Sequence, residues 1–223
     1  MGWECLEVGA GAGSIARWLA HEVGPSGSVV AADLNPRFLD DVPANVEVRT
    51  HDIVNDEVEA DRFDLAHSRC VLIHLPDPAV GLSNMIRALK PGGWIAMDEA
   101  DWGLFSLAGH ADAEWATAFV HDLFGRHAEA GVRYPYFGRR LGGLLAERGF
   151  DDVRSQGTAT VSTPADGSAD VIRLTFEALR ALNASVGASD DDLDRLTVVL
   201  ESHDVTITGV TLFTARGRKP GAV

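Results

Sequence analysis

Three glycines at alternating positions, Gly9, Gly11 and Gly13, stand between the apolar run ending at Glu7-Val8 and a helix-like segment opening at Ser14. Without a Cβ, such a loop bends sharply and brings its backbone close to a ligand. Asp33 follows Gly13 by twenty positions and closes a second apolar run, Val29 to Ala32. A carboxylate there can accept the hydroxyls of an adenosine ribose. Asp52 follows a third run, Val46 to Arg49, where it could accept an adenine amino group. A helix cap or a solvated loop position remains the plain alternative for both acids.

Further along, His74 lies just past a fourth apolar run, Phe63 to Ser68, in the stretch Leu72-Ile73-His74-Leu75-Pro76. It is a candidate general base, or else a histidine that shapes the loop. Asp98, Glu99 and Asp101 crowd the end of a fifth run. Acids so close raise one another's pKa, and Glu99 is taken as the second candidate catalytic group, with helix capping as the alternative. Their spacing defines no metal site. Trp102, Phe105, Tyr134, Tyr136 and Phe137 could wall an apolar acceptor pocket or belong to the core; Trp102 and Tyr136 are taken as the substrate candidates. Arg139 and Arg140 read as a solvated helix start. Cys5 and Cys70 have neither CxxC nor Cys/His spacing and read as buried free thiols.

These residues must be held by regular elements. Glu4–Val8 reads as a strand and 14–23 as a helix with Ile15, Trp18, Leu19 and Val23 on one face, stopped by Gly24-Pro25. After Asp77, Leu82, Met85, Ile86 and Leu89 fall at helical spacing before the break Pro91-Gly92-Gly93, and Trp94–Asp98 reads as the fifth strand. Strands alternating with helices predict an α/β fold with a mostly parallel sheet and right-handed crossovers. Helical periodicity at Trp115, Phe119 and Leu123, then at Leu141, Leu144 and Leu145, predicts a helical insertion over 102–150. Residues 151–223 then complete the sheet, with strands near 153–161 and 205–215 and helices near 174–182 and 193–200.

Composition bounds the function. A length of 223 residues suits one domain: a cofactor-binding half (1–101), the insertion with the substrate region, and the closing segment. A formal charge of −14 repels phosphate backbones and anionic surfaces, so nucleic acid and membrane are not expected partners. With no basic leader and no apolar run near the ~18 residues of a span, the expected location is the cytoplasm.

Five segments in order carry a resemblance: LEVGAGAG at 6–13, VVAADLNP at 29–36, HDI at 51–53, FDLAHSRCVLIHLPDP at 63–78 and LKPGGWIAMDEAD at 89–101. From Cys5 to Trp102 the chain resembles class I S-adenosylmethionine-dependent methyltransferases of the small-molecule type common in actinobacteria. The resemblance implies a Rossmann-like, seven-stranded sheet with helices on both faces, and S-adenosylmethionine as cofactor with S-adenosylhomocysteine as product. It implies that Gly9, Gly11 and Gly13 line the methionine and ribose, and that Glu7 holds the loop or reaches the amino group. Asp33 would take the ribose hydroxyls, Leu34 would lie against adenine, and Asp52 and Ile53 would flank its edge. Ser68 and Arg69 would approach the methionine portion. Family members are expected to carry some tens of residues before the first strand, which covers the cofactor; here that cover is expected from a longer chain, the insertion or a partner subunit, so a homodimer is compatible with the sequence.

Methyl transfer is an in-line displacement, served mostly by holding the nucleophile about 3 to 3.5 Å from the reacting carbon. A hydroxyl acceptor would gain about 10² to 10⁴-fold from a base. Two rivals remain. A nicotinamide-dependent oxidoreductase would want a glycine at Ser14 and a Tyr-x-x-x-Lys pair, which the sequence lacks. A protein that binds S-adenosylmethionine without methylating would look the same at the loop and Asp33.

Overall fold

The computed structural model describes residues 2–163 and 168–221. The chain divides into two compact units, Met1–Glu99 with Gly138–Gln156 and Phe213–Val223, and Ala100–Phe137 with Gly157–Leu212. The expected insertion is thereby split: residues 102–137 belong to the second unit and 138–150 to the first.

The first unit contains β1 (Glu4–Val8), α1 (Ser14–Val23), β2 (Ser28–Asp33), β3 (Val46–Thr50), β4 (Phe63–Arg69), α2 (Pro78–Ala88) and most of β5 (Leu89–Asp101). These strands pair in parallel, β3-β2-β1-β4-β5. Four consecutive buried positions in both β1 and β2 give the continuous apolar reading of strands covered on two faces. β3 ends the order and carries charge, Glu47 and Arg49 pairing at 2.7 Å, as suits an edge. The chain runs outward from β1 to β3 and returns to β4 on β1's other side, so the strand order reverses between β1 and β4. Ligands bind outside the carboxyl ends at such a reversal.

α1 buries Ala16, Leu19, Ala20 and Val23 against β1 and β2, where Cys5, Val29 and Ala31 complete the cluster. Trp18 is 57% exposed, so the face is narrower than the expected one: alanines at 16 and 20, too small to stand out in a hydrophobic pattern, are what approach the sheet. α2 starts where expected, Asp77 accepting the N–H groups of Ala79 and Val80 at 3.0 and 3.1 Å ahead of Pro78. β5 begins at Leu89, upstream of the expected Trp94, and takes Pro91-Gly92-Gly93 into the strand. A register shift between Phe63 and Leu65 absorbs the irregularity, and Gly93 packs where a Cβ would meet three backbone oxygens at 3.0 to 3.2 Å.

The second unit is built on α3 (Ala113–Glu129), α5 (Ser168–Ala178), α6 (Arg180–Ser185) and α7 (Asp190–Glu201), with β6 (Ser106–Ala108) antiparallel to the start of β8 (Thr206–Arg218). Its core gathers Trp102, Phe105, Phe124 and Phe176. The single helix expected near 174–182 is two, parted at Leu179. Between the units in sequence, α4 (Leu141–Glu147) and β7 (Asp151–Ser162) follow, and β7 pairs with β8. The sheet therefore has eight strands where seven were expected. The addition is β6, whose three residues are too few for alternation to register in sequence. Among the described residues no helix is long and apolar enough to cross a membrane.

Candidate functional site

The carboxyl ends of the parallel strands converge on one small cavity, of about 100 Å³, lined by Val8, Gly9, Asp33, Leu34, His51, Asp52, Ile53, Val71 and Leu75. Five of the residues chosen from sequence, Gly9, Asp33, Leu34, Asp52 and Ile53, are brought together here. A larger groove of about 650 Å³ is lined by Val153, Arg154, Ser155, Gln156, Thr214 and Arg216. It contains none of the loop glycines or strand-end acids, so chemistry and not volume identifies the site.

The glycine loop takes its shape from backbone bonds to β2: Gly9 and Ala10 both donate N–H to the Ala32 carbonyl, at 2.8 and 3.1 Å. Gly9, Gly11 and Gly13 all have positive φ, 70°, 52° and 78°, a region that L side chains rarely adopt. Asp33 ties the loop to its own strand end. One carboxylate oxygen accepts the Gly11 N–H at 2.8 Å and the other the Asn35 N–H at 2.8 Å. A carboxylate has about four lone-pair sites, so acceptor capacity remains. The Asp52 carboxylate is held below its ordinary range by the Asn55 amide and the Val54 N–H, at 2.8 and 2.9 Å. Ile53 is buried beside it, whereas Leu34 is 67% exposed at the cavity, an apolar side chain that a bound ring would cover.

The cavity suits an adenosine group on its own terms. It offers a backbone cradle that a Cβ would fill, carboxylates with free lone pairs, and apolar walls. His51, 7% exposed, adds a ring nitrogen, Nε2, without a partner. His51, Val8, Val71 and Leu75 were not singled out from sequence; only the residue preceding Asp52 carried any signal, as the first letter of the HDI segment.

The remaining residues lie around this cavity in different states. Gly11 and Gly13 continue the loop. Ser68 is fully buried with its hydroxyl unpartnered, and Arg69 is exposed with Nη2 3.3 Å from the Ser14 hydroxyl. Cys70 follows with φ 54°, a strained turn that lets its N–H donate to the Asp98 carbonyl at 2.7 Å. Glu7 is buried and pairs with His67, its Oε2 lying 2.6 Å from Nδ1, so it is held inside β1 and β4 instead of reaching outward. His74 ends a short 3₁₀ turn (Leu72–His74) and is exposed.

Glu99 departs from the acid or base expected of it. It is fully buried, and its carboxylate accepts the N–H groups of Val71, Leu72 and Ile73 at 3.1, 2.8 and 3.4 Å, capping the 3₁₀ turn. Burial pushes its carboxyl up to about 7 against the opposing pull of those N–H groups. Its work is to hold Val71 and the turn bearing His74. Trp102 and Tyr136 belong to the second unit. Trp102 is 8% exposed, with ring centroids of Phe124, Phe105 and Phe176 at 4.4, 5.6 and 5.9 Å, and is core, not an open wall. The Tyr136 hydroxyl donates to the His121 carbonyl at 3.4 Å. Cys5 is buried, Cys70 half-buried, and neither is in a disulfide.

Comparison with known proteins gives a consistent result. A sequence family described as a methyltransferase domain matches residues 2–155. Methyltransferase str2 of Strobilurus tenacellus is 36% identical over 142 residues, covering 61% of this chain and 49% of that protein. Methyltransferase str3 of the same fungus is 28% identical over 194 residues, covering 86% and 69%. The chain spans about half the length of the first of these relatives. Among solved structures, Haemonchus contortus phosphoethanolamine N-methyltransferase 2, in complex with phosphomonomethylethanolamine and S-adenosylhomocysteine, superposes with a TM-score of 0.57 at 21% identity, covering 99% of this chain and 49% of that one. At that identity the likeness is one of fold.

Proposed function

The chain belongs to the methyltransferase domain family, the S-adenosylmethionine-dependent methyltransferases of class I, and on that premise we propose that it binds S-adenosylmethionine in the cavity at the β1–β4 reversal and methylates a small molecule. The observation that carries the reading is the gathering of Gly9, Asp33, Leu34, Asp52 and Ile53 around one cavity from four separate segments. When bound, the cofactor supplies a methyl carbon already activated by its sulfonium.

The chain's own residues then bind and orient. Asp33 accepts the ribose hydroxyls with the lone pairs left by Gly11 and Asn35. Asp52 accepts the adenine amino group, while Leu34 and Ile53 pack on the ring. The loop from Gly9 to Gly13, with Ser68 and Arg69 at the end of β4, receives the methionine portion. Glu99 positions the 3₁₀ turn, and His74 at its exposed end takes the proton of a hydroxyl acceptor. Most of the rate comes from holding the acceptor in line, which about 7 to 11 kcal/mol of avoided entropy loss can supply.

A charge of −14 supports a small acceptor over nucleic acid, and the likeness to small-molecule methyltransferases supports a cytoplasmic enzyme. A homodimer would supply the cofactor's cover from the partner.

Calorimetric titration of the chain with S-adenosylmethionine, S-adenosylhomocysteine and NADH tests the reading, with Asp33→Ala as control. Selective binding of the two sulfur nucleosides, lost in the variant, is expected. Binding of NADH alone would overturn it, and binding without methylation of any acceptor would favour an accessory protein on the same scaffold.

A further inference from the structure

Below the glycine loop, neighbouring strands place ionisable side chains side by side. Glu7 of β1 and His67 of β4 are direct partners in the parallel ladder. Asp98 of β5 approaches the same imidazole from the other side: Nδ1 of His67 lies 2.6 Å from Glu7 Oε2, and Nε2 lies 3.5 Å from Asp98 Oδ2. The Thr214 hydroxyl, on β8, donates to the other Asp98 oxygen. A carboxylate only accepts, so an imidazole between two of them satisfies both neighbours when both its nitrogens carry hydrogen.

The position of this bridge is informative. Glu7 is two residues before Gly9, and His67 is followed directly by Ser68 and Arg69. The three strands joined are the two that flank the order reversal and the next one along. Ala66 and Ile95 close by are fully buried, so apolar side chains would have packed here without the cost of desolvating two charges. A buried ionic bridge trades that cost for fixed geometry.

We propose that His67 is a positioning residue for cofactor binding: by bridging Glu7 and Asp98 it fixes the carboxyl ends of β1, β4 and β5, and so sets where the Gly9–Gly13 loop and Ser68–Arg69 stand. The inference rests on the cofactor reading above. Burial alone would lower the His67 pKa, but its hydrogen bonds to Asp98 and Glu7 raise it to about 9. The other groups facing the bridge hold their charge state in that range. Burial raises the Glu7 carboxyl while His67 opposes the rise, hydrogen bonding to His67 lowers Asp98, the Arg69 guanidinium favours both carboxylates, and the Cys5 thiol is pushed up to about 12 by burial. The bridge is therefore intact at neutral pH and opens as His67 loses its proton near 9.

Two measurements on the full chain test this. Nitrogen-15 spectra of labelled histidine, assigned by loss of one signal in His67→Gln, should show both His67 ring nitrogens protonated at neutral pH and titrating near 9. Calorimetry with S-adenosylhomocysteine should show His67→Gln binding about tenfold or more weaker at neutral pH. Wild-type affinity should fall across the same titration while that of the variant stays flat; a merely structural role would lower the melting temperature without producing this contrast. Glu7→Gln, which keeps the shape and removes the charge, should behave likewise and stands in if His67→Gln does not fold. A neutral His67 ring at neutral pH, or variants that bind as wild type does, would overturn the proposal and leave the cofactor reading standing. A wild-type chain that binds no S-adenosylhomocysteine would overturn the cofactor reading and this role with it.

Discussion

Val71 closes on Gly9 so tightly that a Cβ on the glycine would lie 2.3 Å from the valine Cγ2. The loop can pass between β1 and the turn after β4 only because position 9 has no side chain, and its φ of 70° adds a second reason. Gly9→Ala should therefore lose about 1–2 kcal/mol to the left-handed backbone and about 1–3 kcal/mol to overpacking. Adding Val71→Ala should recover the packing part alone. Denaturant midpoints of the single and double variants separate the two contributions.

Asp33 holds Gly11 and Asn35 with opposite oxygens of one carboxylate. In Asp33→Asn one of those oxygens becomes an NH2 group facing a backbone N–H, so the loop loses an anchor as well as an acceptor. S-adenosylhomocysteine affinity is expected to drop about 10- to 100-fold, the range of a lost charge-assisted pair. An unchanged dissociation constant would remove Asp33 from the site.

Glu99 predicts a pH dependence. Its carboxyl holds its proton up to about 7 in the folded chain, against 4.5 as the ordinary value. A raised folded pKa means that its contribution to stability is fully present below 4.5 and is lost as pH rises through about 7. Glu99→Gln should flatten the stability profile between those values. Glu99→Ala should cost ~3 kcal/mol at any pH, because three backbone N–H groups lose their acceptor. Thermal melts of both variants across the window give the comparison.

Trp102 distinguishes core from pocket. Packed on Phe124, Phe105 and Phe176, it should cost about 3–5 kcal/mol when changed to alanine, and much less as phenylalanine. If Trp102→Phe left stability untouched but changed KM for an acceptor, the side chain would be a pocket wall after all.

The amino-acid sequence by itself determined the parallel half of the fold and the residues around the cofactor cavity. Both are local signals. Continuous apolar runs mark the buried strands β1 and β2, the alternating glycines mark a loop with positive φ, and Asp33 and Asp52 each stand at or just past a strand end. Their meeting at one cavity follows once the strands are parallel, because all the carboxyl ends then lie on the same edge. Even there, the inward face of α1 was hidden, since Ala16 and Ala20 carry no hydrophobic signal and Trp18 carries a misleading one. Tertiary structure alone decided which acids face a ligand and which face the protein. Glu99 and Asp98 are adjacent in sequence, yet a strand sends their side chains to opposite faces, one to cap a turn and the other to meet His67. Glu7 and His67 are sixty positions apart, and only the β1–β4 register makes them partners. Trp102 looked like a pocket residue because an aromatic beside acids can serve either purpose, and the difference lies in whether Phe124 and Phe176 pack against it.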